Sequence, residues 1–119
     1  MSVWRFEESS FFASKFKKYQ KKHRAETIAV LSNLDTYEKA LNSGVKPPLI
    51  RAGFIHPEPQ GVVGIDQKGT KGKARQTRLY IYACEQDHVV YLITIGDKNS
   101  QKQDIKDCKE FMDRFRKKE

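Results

Sequence analysis

The sequence feature that most constrains the fold is a pair of adjacent strand patterns followed at once by a helix pattern, within residues 76–117. Residues 77–84 (TRLYIYAC) alternate between two faces, which is typical of a strand that buries one side. Residues 89–95 (VVYLITI) are almost all apolar, and such a run predicts a strand in the centre of a sheet. A helix pattern then extends to about Lys117. This part of the chain therefore predicts a sheet packed against helices.

The two faces of the strand at residues 77–84 differ in character. One face is small or apolar and is predicted to be core; it consists of Thr77, Leu79, Ile81 and Ala83. The other face carries a cation and two aromatic rings and is predicted to be partly exposed to solvent; it consists of Arg78, Tyr80, Tyr82 and Cys84.

The N-terminal part supplies a strand pattern at residues 2–6 and two helix patterns. Ser9 or Ser10 is predicted to cap the first helix, which is predicted to end near Arg24. The second spans residues 25–42. Their apolar positions recur every three or four residues; they are Phe12, Phe16 and Tyr19 in the first helix, and Ile28, Leu31, Leu34 and Leu41 in the second.

The order of these elements predicts the fold class. A short strand at residues 62–67 precedes the two strands above, and the last helix begins at Ser100, where Gln103 completes a capping-box pattern. The prediction is an α+β fold, with an antiparallel or mixed sheet of about four strands, an N-terminal helix pair and a C-terminal helix, the helices lying on one face. At 119 residues the chain is predicted to be a single domain, 1–119.

The charge balance points to polyanionic partners. The formal net charge is +8 and the sequence pI is near 9.5, and such a charge attracts nucleic acids or acidic proteins over long range. The sequence contains no long apolar run, so we expect a cytoplasmic protein without a membrane partner. Cys84 and Cys108 lack metal-ligand spacing and are predicted to be buried thiols; no cofactor is predicted.

Basic side chains near the strand at residues 77–84 predict a phosphate site. The segment at residues 68–75 carries four positive charges and no acidic residue. The candidate catalytic residues are Arg78, Lys98, Lys71 and Lys73, and the candidate RNA-binding residues are Arg75, Tyr80, Tyr82 and Lys68. Arginine suits a phosphate because its planar fork grips two oxygens, and a tyrosine ring can stack on a base.

These residues carry a resemblance to the RelE/ParE toxin superfamily. The strand TRLYIY with its early arginine, the strand YLITIGDK with a basic residue after its final glycine, and the continuation NSQKQDIKDCKEF are similar to the family's last two strands and last helix. The resemblance covers about residues 61–111. It implies a small basic ribonuclease that cleaves messenger RNA, commonly at the ribosome, and an acidic antitoxin protein that neutralises it. ParE-type relatives instead poison DNA gyrase.

Carried over residue by residue, the resemblance is partial. The arginine that opens the strand corresponds to Arg78, the basic residue after the glycine corresponds to Lys98, and Lys71 and Lys73 lie nearest to the family's catalytic lysines. The tyrosine that some members use in the last helix is missing, and Asp104 stands at about its place.

The expected chemistry needs no metal. The 2′-hydroxyl attacks the adjacent phosphate, a base removes its proton, cations stabilise the phosphorane and an acid protonates the leaving 5′-oxygen. His56, in the proline-flanked sequence IHPEP, is a weaker acid–base candidate. The alternatives are a non-nuclease interaction protein of the same fold, such as a gyrase inhibitor, and a general RNA-binding module.

Overall fold

The computed structural model of the chain describes residues 3–67 and 76–117. Within them lie five strands and three helices, which confirms the predicted α+β class. The strands are Arg5–Glu8 (β1), Ile55–Pro57 (β2), Val63–Asp66 (β3), Arg78–Cys84 (β4) and Val89–Gly96 (β5). The helices are Phe12–Lys22 (α1), Arg24–Asn42 (α2) and Gln101–Lys117 (α3).

The strands form one mixed sheet in the order β1-β5-β4-β3-β2. The strands from β2 to β5 pair antiparallel, and β1 pairs parallel with β5 along its edge. The strand β2, at residues 55–57, makes five strands in the described chain, where the sequence predicts about four. It matters for the site because it adds a strand beyond β3, on the side where Arg78 of β4 is paired with Asp66.

Helices cover both faces of the sheet, so the prediction that they share one face is wrong. The pair α1 and α2 packs on the face formed by Leu79, Ile81 and Val90. The helix α3 packs through Cys108 and Met112 on the opposite face, which is built from Val62, Tyr80 and Ile93. The second face is largely apolar in the centre of the sheet, and burying it under α3 removes that surface from water.

The apolar stripe of α2 also differs from the prediction. Ile28 and Leu31 are exposed, at 59% and 39% of their surface. The buried stripe instead combines the predicted Leu34 and Leu41 with three further side chains, Thr27, Val30 and Tyr37. Threonine and tyrosine are less hydrophobic than isoleucine and leucine, so the sequence pattern favours Ile28 and Leu31 over the buried Thr27 and Val30, which each precede them by one residue.

Candidate functional site

The site is organised around Arg78, the first residue of β4. Its neighbour on β3 is Asp66 and its neighbour on β5 is Gly96. The Nε of Arg78 donates a hydrogen bond to Oδ1 of Asp66 at 2.7 Å, and Nη1 donates to Oε2 of Glu58 at 3.2 Å. The arginine side chain is 17% exposed. Arg78 is thus a partly buried cation held in place by two carboxylates, one on β3 and one just after β2.

Gly64 gives the Arg78 side chain its path across β3. A Cβ at position 64 would lie 2.6 Å from Cδ of Arg78 and 3.2 Å from its Nε. Only a residue without a side chain leaves room for this approach. The guanidinium therefore crosses over the backbone of β3 at Gly64 to reach Glu58 on the far side.

The electrostatic environment keeps Arg78 charged. Burial lowers the pKa of its guanidinium, but the hydrogen bond to Asp66 and the charges of Asp66 and Glu58 raise that pKa by more, and the net direction is upward. Arg78 is accordingly a fixed positive charge and cannot act as the base. A guanidinium has five N–H donors, so the two bonds to carboxylates leave donors for a ligand.

Arg78 and Lys98 line the same small pocket. The pocket has a volume of about 150 Å³ and lies where β4 begins and β5 ends. Lys98 is exposed and lies between β5 and the start of α3. The residues that line the pocket are Asp66, Gln76, Arg78, Tyr80, Asp97, Lys98 and Gln101. Two of the four candidate catalytic residues are therefore close together in the fold.

The other basic candidates belong to the segment between β3 and β4. Lys68, Lys71, Lys73 and Arg75 lie outside the described residues. The chain enters this segment after Gln67 and returns at Gln76, and the backbone N–H of Thr77 donates to Oε1 of Gln67 at 2.7 Å. Asp66 and Gln76, which lie near the two ends of this segment, line the pocket with Arg78.

The prediction that Tyr80 stacks on a base is wrong. Tyr80 is 2% exposed, because α3 covers its face of the sheet. Burial is the largest cause that raises the pKa of its hydroxyl, followed by the charge of Asp104. Tyr82 packs edge-on against Phe115 of α3, with ring centres 5.4 Å apart, and it does not line the pocket of Arg78.

A histidine joins the site from β2. His56 is half exposed, and its Nδ1 lies 2.8 Å from Oε2 of Glu58. The same oxygen accepts the hydrogen bond from Nη1 of Arg78. Glu58 is 8% exposed, so a nearly buried carboxylate links His56 to Arg78. Arg78 is 20 residues from Glu58 and 12 residues from Asp66 along the chain. Gly64 is the sign in the sequence that a side chain passes close to the backbone of β3.

Asp104 has a structural role beside the site. It is fully buried, accepts a hydrogen bond from the hydroxyl of Ser100 at 2.8 Å, and forms an ion pair with Lys15 of α1. Burial raises the pKa of its carboxyl, against the hydrogen bonds from Lys15 and Ser100, which lower it. A Cβ on Gly96 would lie 2.1 Å from Oδ2 of Asp104. In the predicted capping box, Ser100 and Gln103 would bond to the backbone at the start of α3. In the structure the hydroxyl of Ser100 donates to Asp104, and the side-chain amide of Gln103 donates to Asp107.

No family model, curated protein or solved structure matches this chain. Among residues 3–67 and 76–117, no helix combines the length and apolar character that crossing a membrane requires. The same part of the chain holds no group of three or more histidine, cysteine, aspartate or glutamate side chains arranged to bind a metal ion.

Proposed function

We propose that this protein is an endoribonuclease of the RelE-like toxin type, which cleaves messenger RNA on the ribosome without a metal ion. The observation that carries the proposal is the shared pocket of Arg78 and Lys98, flanked by the ends of the basic segment at residues 68–75. A polyanionic chain drawn to this segment would meet two further cations at one place. A toxin of this type works in the cytoplasm and is held inactive by an antitoxin.

The pocket suits one phosphate group. Lys98 is exposed and supplies a mobile ammonium group, while Arg78 supplies a fixed guanidinium oriented by Asp66 and Glu58. An arginine that is already in place loses little freedom when a phosphate binds, and its charge stabilises the phosphorane that forms during attack by the 2′-hydroxyl. The carboxylates offset part of the charge of Arg78, so attraction of the RNA falls mainly to Lys98 and the basic segment.

The outer face of α1 suits an acidic antitoxin. The side chains of Lys17, Lys18, Lys21 and Lys22 are all exposed along this helix. Four positive charges on two turns attract an acidic, partly disordered partner and raise its association rate. This face is separate from the pocket of Arg78, which none of these lysines lines.

A translation extract with a defined messenger RNA tests the proposal. The wild-type protein should cleave the message in EDTA, and Arg78→Ala and Lys98→Ala should lose most of that activity. Arg5→Ala is the matched control, because Arg5 is 69% exposed on the edge strand β1 and its loss lowers the net charge equally. A wild-type protein that leaves the message intact, or an Arg78→Ala variant as active as Arg5→Ala, would refute the proposal.

The alternative is a non-catalytic interaction protein of the same fold, such as a gyrase inhibitor. The observation that favours it is the pairing of Arg78 with two carboxylates, which lowers its attraction for a phosphate. In this case the purified protein would inhibit DNA supercoiling by gyrase and leave RNA intact in every condition. The two assays, run on one preparation, separate the two functions.

A further inference from the structure

The sequence motif IHPEP is not used by the function proposed above. Neither His56 nor Glu58 lines the pocket of Arg78 and Lys98, but the fold connects both residues to Arg78 beside that pocket. His56 shares the Oε2 atom of Glu58 with Arg78, at 2.8 Å from its Nδ1 and 3.2 Å from Nη1 of the arginine. A carboxylate that accepts from Nδ1–H fixes the imidazole in one tautomer and leaves Nε2 as the basic nitrogen. Glu58 therefore fixes His56 relative to the cation that would hold the phosphate.

The order of the strands places His56 and Lys98 on opposite sides of Arg78. His56 lies on β2, two strands to one side of β4, and Lys98 follows β5 on the other side. His56 pairs with Gly64, and Gly64 pairs with Tyr80, so the side chain of His56 projects from the same face of the sheet that Arg78 crosses at Gly64. In-line displacement at phosphorus needs the attacking and leaving oxygens on opposite sides of the phosphate.

We propose that His56 is the general base of the ribonuclease reaction and that Glu58 is its positioning residue. This inference rests on the proposed ribonuclease function and adds the identity of the proton acceptor. The substrate it implies is an RNA strand whose phosphate lies on Arg78, with the ribose that carries the attacking 2′-hydroxyl on the side of β2.

Cleavage moves two protons, one to His56 and one from Lys98. Nε2 of His56 takes the proton of the 2′-hydroxyl, and the 2′-oxygen forms a bond to phosphorus. The bond from phosphorus to the 5′-oxygen breaks, and that oxygen takes a proton from the ammonium of Lys98. The products are a 2′,3′-cyclic phosphate and a 5′-hydroxyl. The imidazolium then loses its proton to water, and Lys98 regains one from water, which restores both residues.

Single-turnover cleavage of an RNA oligonucleotide in EDTA, followed from pH 5 to pH 9, tests this role. Replacing His56→Gln should slow cleavage about 10²- to 10⁴-fold, the usual contribution of a general base. The wild-type rate should fall at acid pH, and this fall should be absent in the variant. Binding of a 2′-O-methyl RNA of the same sequence should stay within about twofold, because the base acts in the chemical step and not in binding.

The matched control is His88→Asn. His88 stacks on Trp4, lies at the opposite end of β4 from Arg78, and has a positive φ of 55°, which asparagine tolerates. It should cleave at the wild-type rate. Adding free imidazole to a His56→Ala variant should restore part of the lost rate, which separates a chemical role from a folding defect.

The outcomes distinguish the two proposals. A wild-type protein that cleaves RNA while His56→Gln cleaves equally fast would overturn the role of His56 and leave the ribonuclease standing. A loss of rate matched by an equal loss of RNA binding would also overturn it. A wild-type protein that cleaves no RNA would refute the ribonuclease itself.

Discussion

Gly64→Ala should destabilise the protein, because the added methyl group would collide with the side chain of Arg78. The new Cβ would lie 2.6 Å from Cδ of Arg78, and the arginine cannot retreat without breaking its bonds to Asp66 and Glu58. The backbone of Gly64 is not left-handed, so alanine would otherwise gain about 0.5–1 kcal/mol over glycine in a strand. Losing one of the two charged hydrogen bonds costs about 1.5–3 kcal/mol, and subtracting the gain leaves a net loss of about 0.5–2.5 kcal/mol.

Urea unfolding and thermal melting measure this loss. Each kcal/mol corresponds to about 4 °C in Tm for a domain of this size, so a fall of about 2–10 °C is expected. The same replacement should be neutral or stabilising in an Arg78→Ala background, because the obstructing side chain is gone. If Gly64→Ala stabilises the wild-type protein, the path of Arg78 over β3 is wrong.

Three further predictions concern the surroundings of the site. Gly96→Ala should unfold more readily than Gly64→Ala, and Arg78→Ala should not relieve the defect in urea unfolding, because the added Cβ meets Asp104 and Ser100 at 2.1 Å. Burial raises the pKa of the Cys108 thiol from 9.0 to about 12, so the folded state favours the neutral thiol over the thiolate. The free energy of unfolding, measured by circular dichroism, should therefore fall as the pH rises from 9 toward 12, and it should fall less in Cys108→Ala. Lys98→Ala should reduce the salt dependence of RNA binding, lowering the slope of log K against log salt by about 0.7–1, with unchanged stability.

The local patterns of the sequence predicted most of the elements and one face of β4. The alternation in β4 placed Thr77, Leu79 and Ile81 in the core, and they are 1%, 0% and 0% exposed. The opposite face of β4 was predicted to meet solvent because it carries Arg78 among tyrosines. Only the position of α3, which no local pattern specifies, shows that Tyr80 is buried there.

The candidate site was predicted in part. Arg78 and Lys98 follow from strand ends that neighbouring strands bring together, and they share a pocket. Glu58 and Asp66 were missed because acidic residues 20 and 12 positions away carry no local sign of pairing with an arginine. Asp104 illustrates the same limit, since its burial depends on Lys15 of α1, 89 residues away, and on the space above Gly96.

Cleavage of one RNA sequence in two forms, ordinary and 2′-O-methyl, tests whether this protein cuts RNA by attack of the 2′-hydroxyl. Both forms are incubated in EDTA with the wild-type protein and with Arg78→Ala, in the presence and absence of ribosomes, and the product ends are mapped. The wild type should cut only the ordinary RNA and leave 2′,3′-cyclic phosphate and 5′-hydroxyl ends, and Arg78→Ala should cut at least about 100-fold more slowly. Cleavage of the 2′-O-methyl strand, or no cleavage of either strand under any of these conditions, would rule out a ribonuclease that uses the 2′-hydroxyl.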